Sequence, residues 1–121
     1  MKMTNLEIYN AARAMIDAFQ EHQYLPVKVN FFIQKNKSIL TTLAQDIDNA
    51  RMTLISNYGV LNEEGTQYIV PEEKMEAANK ELSDLFNIEQ DVNITKINIE
   101  DFPDDIKLTG KQMESILFMI N

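Results

Sequence analysis

The sequence predicts a mostly α (α+β) fold: one domain over residues 1–121, with a long helix, antiparallel helical packing and a small antiparallel β element. Two observations predict it. Apolar residues recur at helical spacing in four segments, and caps, prolines and glycines separate those segments. A chain of 121 residues with 45% hydrophobic residues also has the length of one domain and the material for a core.

The first helix is predicted from about Thr4 to Glu21. Thr4 and Glu7 have the spacing of a capping box, in which each side chain bonds the backbone amide of the other. Apolar residues follow at helical spacing: Leu6, Ile8, Ala12, Met15, Ile16 and Phe19. The helix is expected to end before Pro26, because the residue preceding a proline is pushed out of the helical region.

The second helix is predicted from Pro26 to Tyr58, with Gly59 as its stop. A stripe with a period of 3.5 residues follows Val29, Ile33, Leu40, Leu43, Ile47, Ala50 and Leu54. About 31 helical residues there make a rod about 46 Å long, whereas a compact domain of this size is about 35 Å across. The stripe therefore predicts an elongated molecule or a second copy that covers it, and we expect a homodimer or higher oligomer.

The remaining elements are shorter. Val60–Leu61 and Tyr68–Val70 flank a turn and predict a β-hairpin, and Pro71 opens a third helix with Met75, Ala78, Leu82, Leu85 and Phe86 inward. Residues 91–99 are β-like, with a bulge or bend expected near Thr95-Lys96 because the alternation changes parity there. Thr109 and Gln112 form a second capping box, and it opens a last helix with Met113, Ile116, Leu117 and Ile120 inward.

The charge and the composition exclude several function classes. The chain has 11 basic and 19 acidic residues, a net charge of −8, so we expect no binding to duplex nucleic acid. Without cysteine it has no disulfide, thiolate metal site or cysteine nucleophile. No apolar run reaches the roughly 20 residues of a membrane span and no signal peptide is visible. We therefore expect an intracellular protein with no membrane partner.

The residue patterns that would indicate catalysis are weak in this sequence. His22 is the single imidazole and falls at the end of the first predicted helix, where a solvated histidine is favoured by the helix dipole. Acidic residues at 63–64, 72–73, 101 and 104–105 fall in turns or first helical turns, where they serve as caps and in solubility. The sequence therefore predicts no enzyme, no cofactor and no metal site.

The candidate ligand-binding residues lie on the second helix. Lys28, Lys35 and Lys37 are interpreted as one basic face of this helix in an acidic chain, and Arg51 follows further along. They indicate either a solvated surface or a site for a small anion such as a nucleotide, or for an acidic partner. Asn36 interrupts the apolar stripe, where a buried amide either sets the pairing of helices or contacts a ligand.

Several short motifs spread over the chain resemble one protein family. They are Leu25-Pro26-Val27-Lys28-Val29, Lys35-Asn36, a long helix ending Tyr58-Gly59, Val70-Pro71-Glu72, the stretch 92–99, Leu108-Thr109 and Phe118-Met119-Ile120. The sequence is similar in these to a family of small proteins encoded in phages and prophages of low-GC Gram-positive bacteria. The resemblance implies a phage context and assigns no catalytic or binding residue.

These observations predict a non-enzymatic phage protein of the host cytoplasm that acts by occupying a target. The target is a host protein, or a nucleotide signal that the chain sequesters, as in counter-defence or host takeover. The alternative is a virion morphogenesis factor such as a tail or head assembly component. A hydrolase of an unfamiliar kind is a weaker third possibility.

Overall fold

A computed structural model describes residues 1–19 and 25–121. The strands and helices there are β1 (Lys2–Thr4), α1 (Asn5–Ala18), α2 (Val27–Tyr58), β2 (Val60–Leu61), β3 (Tyr68–Ile69), α3 (Glu72–Phe86), β4 (Glu89–Asp91) and α4 (Gly110–Ile116), with 3₁₀ turns at Ile99–Asp101 and Leu117–Met119. The predicted mostly helical fold with a small antiparallel β element is confirmed. None of the helices in the described residues combines the length and the apolarity that crossing a bilayer requires.

Both predicted capping boxes are present. Thr4 Oγ1 accepts from the Glu7 amide at 3.1 Å, and Glu7 Oε1 accepts from the Thr4 amide at 3.0 Å. Thr109 and Gln112 repeat the arrangement at α4. Both boxes satisfy amides that a helix start leaves without partners. Helix α1 ends at Ala18, and Glu21 and His22 lie outside the described residues.

Helix α2 has 32 residues, which makes it about 48 Å long. Gly59 ends it, as predicted, and a side chain could not take this place. A Cβ atom there would lie 2.6 Å from the Ile55 carbonyl oxygen and 3.1 Å from Tyr68 Cβ. The glycine thus lets the hairpin β2–β3 turn back closely against the end of the helix.

The core lies along the first two thirds of α2. Val29, Ile33, Asn36 and Leu40 are fully buried and Ile47 nearly so. Helix α1 packs against α2 and α4, and α3 packs against α2. The predicted stripe is thus largely covered by the chain itself.

Four large apolar positions assigned to the interior are exposed. Leu6 and Ile16 on α1, Met75 on α3 and Leu117 after α4 each show about half of their surface to solvent. They flank the buried rows on their helices, while Ile8, Met15 and Ile116 fill the interior. A helix buries only the strip that a neighbour touches, so these flanking positions were wrongly included.

The β-like stretch 91–99 differs most from expectation. Its only ladder is β4, which pairs antiparallel with β1, with Met3 opposite Gln90. Beyond Asp91 the Ile94 amide donates to the Val92 carbonyl at 2.8 Å, a three-residue turn. The predicted bulge or bend near Thr95 and Lys96 is absent, since residues 92–96 are irregular chain without a ladder or a bend. The segment regains one bridge where Ile97 pairs with Ile120.

Candidate functional site

The structure does not bring the four predicted cations together. Lys37 lies about 200° around α2 from Lys35, so the two flank opposite sides of the buried stripe. Arg51 lies about 24 Å along the axis from Lys35. Lys28 and Lys35 share one side of the helix, as the spacing of seven predicted. One small anion therefore cannot contact all four.

Three of these cations have partners within the chain. Lys28 Nζ lies 3.3 Å from Asp101 Oδ2, and Lys35 Nζ donates to Thr95 Oγ1 at 3.3 Å. Arg51 pairs with Asp48 one helical turn earlier, at 3.0 Å. Exposed pairs of this kind contribute little stability, about 1 kcal/mol or less. Asp101 and Asp48 compensate the positive charges of Lys28 and Arg51, whereas the neutral Thr95 hydroxyl leaves the charge of Lys35 uncompensated.

Asn36 has a structural role within one chain. Its side chain is fully buried, and its carboxamide accepts from the Thr95 amide and donates to the Thr95 carbonyl, both at 2.9 Å. It also donates to Met119 Sδ at 3.3 Å. The Asn36 side chain thus forms the hydrogen bonds that a neighbouring strand would form with the extended segment at Thr95. This corrects the prediction that Asn36 sets the pairing of two helices or contacts a ligand.

Two further buried amide side chains, Asn5 and Gln112, also join separate segments of the chain by hydrogen bonds. Asn5 Nδ2 donates to the Leu85 carbonyl at 2.9 Å and its Oδ1 accepts from Gln90 at 2.7 Å. Gln112 Nε2 donates to the Ala18 carbonyl at 3.0 Å, which caps the end of α1. Among the described residues no buried side-chain nitrogen or oxygen lacks a partner. These amides hold segments of the fold together.

A cleft of about 490 Å³ lies between α1 and α4, and it is open to solvent. Its lining includes Ala11, Ala14 and Phe118 and the ion pair of Lys111 with Asp17, at 2.7 Å. The hydrogen bond and charge of Lys111 lower the pKa of Asp17, and Arg13 adds to this. A carboxylate with a lowered pKa is a poorer base. Asp17 is therefore held as a charged partner of Lys111 in this cleft.

The acidic residues considered as metal ligands are dispersed. Asp101 faces Lys28, while Asp104 and Asp105 are exposed in the following turn. Within residues 1–19 and 25–121, no three acidic or histidine side chains are placed to hold a metal ion.

The feature that sequence reasoning missed is an uncovered apolar surface on the hairpin. Val60, Leu61, Tyr68 and Ile69, named here the hairpin surface, are between 42% and 56% exposed. The hairpin itself was predicted and is confirmed. Its sequence carried the signal, since strands with one covered face alternate apolar and polar residues, and these do not.

Comparison with protein-family models, with curated proteins and with solved structures finds no match for this chain. The site must therefore be argued from its own geometry.

Proposed function

We propose that this chain is a non-enzymatic binding protein that acts by occupying a protein target. In the phage context that the resemblance implies, the target is a host protein of the cytoplasm and the role is counter-defence or host takeover. The proposal includes no duplex nucleic acid and no membrane, because a net charge of −8 opposes both phosphate backbones and anionic headgroups.

The observation that carries this proposal is the hairpin surface. Large apolar side chains left uncovered in a group mark an interaction site more often than a catalytic one. A nucleotide target is less favoured, because a pocket for it needs convergent polar and charged groups. The cations of α2 are instead separated along the helix and paired with Asp101, Thr95 and Asp48.

The test is capture of a target at fixed stoichiometry. The tagged chain is immobilised and exposed to an extract of low-GC Gram-positive cells, with a heat-denatured sample of the same chain as control. We expect one protein retained in proportion to the immobilised chain, released unaltered by denaturant. Retention of no protein above the control would contradict the proposal.

Chemistry on the captured molecule would also contradict it. If the released molecule were altered in many equivalents per chain, an active site would have to exist. A retained virion component in place of a host protein would favour the assembly role over counter-defence.

A further inference from the structure

The hairpin surface is two-sided. Val60 pairs with Ile69 and Leu61 with Tyr68, and residues directly opposite in an antiparallel ladder share a face. Each face therefore carries one apolar pair, and all four side chains are about half exposed. A two-stranded hairpin is marginally stable in water by itself. Here its base is held where Gly59 allows close approach to the end of α2.

The turn of the hairpin is fixed by its own hydrogen bonds. The Asn62 amide donates to the Gln67 carbonyl at 2.9 Å, and Asn62 Oδ1 accepts from the Thr66 amide at 3.0 Å. Gly65 has a φ of 70°, a conformation that favours glycine, and its amide donates to the Asn62 carbonyl. The surface is therefore ordered before any partner binds, which lowers the entropic cost of association.

The stretch of chain that carries this surface has charge of one sign. Residues 52–73 contain four carboxylates and no lysine, arginine or histidine. Glu63 and Glu64 lie in the turn at one end of the ladder, and Glu72 and Glu73 follow its other end. All four are exposed.

We propose that the hairpin surface, through its Val60–Ile69 face, docks a protein surface that has an apolar centre and a rim of lysine and arginine. The inference rests on the proposed function and names its partner chemistry. A second copy fits poorly, because pairing hairpin to hairpin would bring the four carboxylates of each chain together with no cation from this stretch between them. A basic rim instead compensates these carboxylates, which speeds encounter and selects the partner.

The test uses the full chain, isotope-labelled for NMR, and three synthetic peptides of about ten residues, a length that spans an added strand. The first alternates lysine with valine. The second has glutamate for each lysine, and the third has serine for each valine. We expect the lysine–valine peptide to shift the backbone amide signals of residues 60–69, and the other two to bind at least about tenfold more weakly, a difference of about 1.4 kcal/mol.

Matched variants locate the contact. Ile69→Thr should weaken binding of the lysine–valine peptide about tenfold, whereas Ile99→Thr should not change it. Ile69 and Ile99 are equally exposed, at 55% and 54%, on different parts of the molecule. Replacing Glu63 and Glu64 by glutamine should weaken binding and reduce its dependence on salt. Circular dichroism confirms that each variant is folded.

Three results would overturn the inference: no binding of the lysine–valine peptide, equal binding of the lysine–serine peptide, or signal changes away from residues 60–69. Equal effects of Ile69→Thr and Ile99→Thr would do the same. Failure here is distinguishable from failure of the proposed function. A target retained equally by the natural chain and by Ile69→Thr would refute this surface while leaving the binding function intact.

Discussion

The two halves of α2 carry one apolar stripe, but the chain covers them differently. Leu40 and Leu54 are two heptads apart and so occupy the same place in the repeat, yet Leu40 is fully buried and Leu54 only half-buried. Asn36 and Ala50 form a second such pair, of which the first is buried and the second exposed.

The difference follows from the lengths of the covering elements. Helix α1 has 14 residues, about 21 Å, and can lie along less than half of α2. Asn36 secures the segment around Thr95 over the first half. The end of α2 has α3 and the hairpin beside it. Burial and the neighbouring Glu81 carboxylate raise the pKa of Tyr58 there. Periodicity thus predicts which residues share a face, and the supply of covering elements decides whether that face is buried.

Substituting the paired leucines should give the largest contrast. Leu40→Ala removes a fully buried side chain and should lower the free energy of unfolding by about 3 kcal/mol, because it leaves a cavity. Leu54→Ala should cost about 1 kcal/mol or less, since its surroundings are half open to solvent. Chemical denaturation of both variants measures this. Equal losses would show that the two halves of α2 are equally packed.

The second pair tests the amide at Asn36. Asn36→Leu leaves the Thr95 amide and carbonyl without their partner, and should destabilise the fold by about 2 kcal/mol. Ala50→Leu, at the equivalent and exposed position, should change stability by about 0.5 kcal/mol or less. The measurement is again chemical denaturation. Unchanged or increased stability in Asn36→Leu would restore the earlier interpretation of Asn36 as a helix-pairing residue.

Local signals predicted most of the fold. Capping boxes, Pro26 and Gly59 act within a few residues of their own positions, so they predicted where helices begin and end. The β1–β4 pair could not be predicted in this way. Its strands have three residues each, too few for a recognisable alternation of apolar and polar residues, and they lie 80 or more positions apart in the sequence. The Asn36–Thr95 contact is equally non-local, and the stripe alone showed only that an amide interrupted it.

The candidate site was less predictable than the fold. Lys37 was assigned to the same helix face as Lys35, although helical geometry separates residues two apart by about 200°. That error could have been avoided from the sequence. The hairpin surface was missed in the same way, because the lack of alternation in Val60–Leu61 and Tyr68–Ile69 already indicated strands without one covered face.

A third variant weakens α1, the helix that covers the first half of α2. Thr4→Ala removes the cap of α1 and should cost about 1 kcal/mol. The backbone and side-chain hydrogen bonds of Thr4 also lower the pKa of Glu7, so NMR titration of the variant should show that pKa closer to its usual value. Because this pKa is lowered in the folded state, the contribution of Glu7 is present above its unfolded pKa and lost as pH falls through the folded one.

The control for Thr4→Ala is a substitution on the second half of α2. Thr53→Ala removes a hydroxyl that donates to the Asn49 carbonyl inside α2 and caps nothing. Its effect on stability should be about 0.5 kcal/mol or less. If Thr4→Ala cost no more than this, the capping box would not contribute to the stability of the folded chain.

The smallest expected effect concerns self-association through α2, which stays a prediction. The chain covers its own stripe as far as Ile47, so a second copy has only the turns beyond it, where Ala50 is exposed. Residues 46–89 carry ten acidic and three basic residues, so two copies repel each other there. We therefore expect weak pairing that strengthens with ionic strength, as the Debye length falls from roughly 30 Å at 0.01 M to roughly 3 Å at 1 M.

Sedimentation at micromolar concentration measures this pairing. The species of about 28 kDa, twice the chain mass of 14.0 kDa, should increase with salt, and Ala50→Glu should reduce it because the substitution adds a carboxylate to the exposed turns. Ser38→Glu is the control, because it adds the same charge at an exposed position on the first half of α2. A single species of 14.0 kDa at every ionic strength would contradict self-association. A 28 kDa species that is insensitive to both salt and Ala50→Glu would place the contact elsewhere on the molecule.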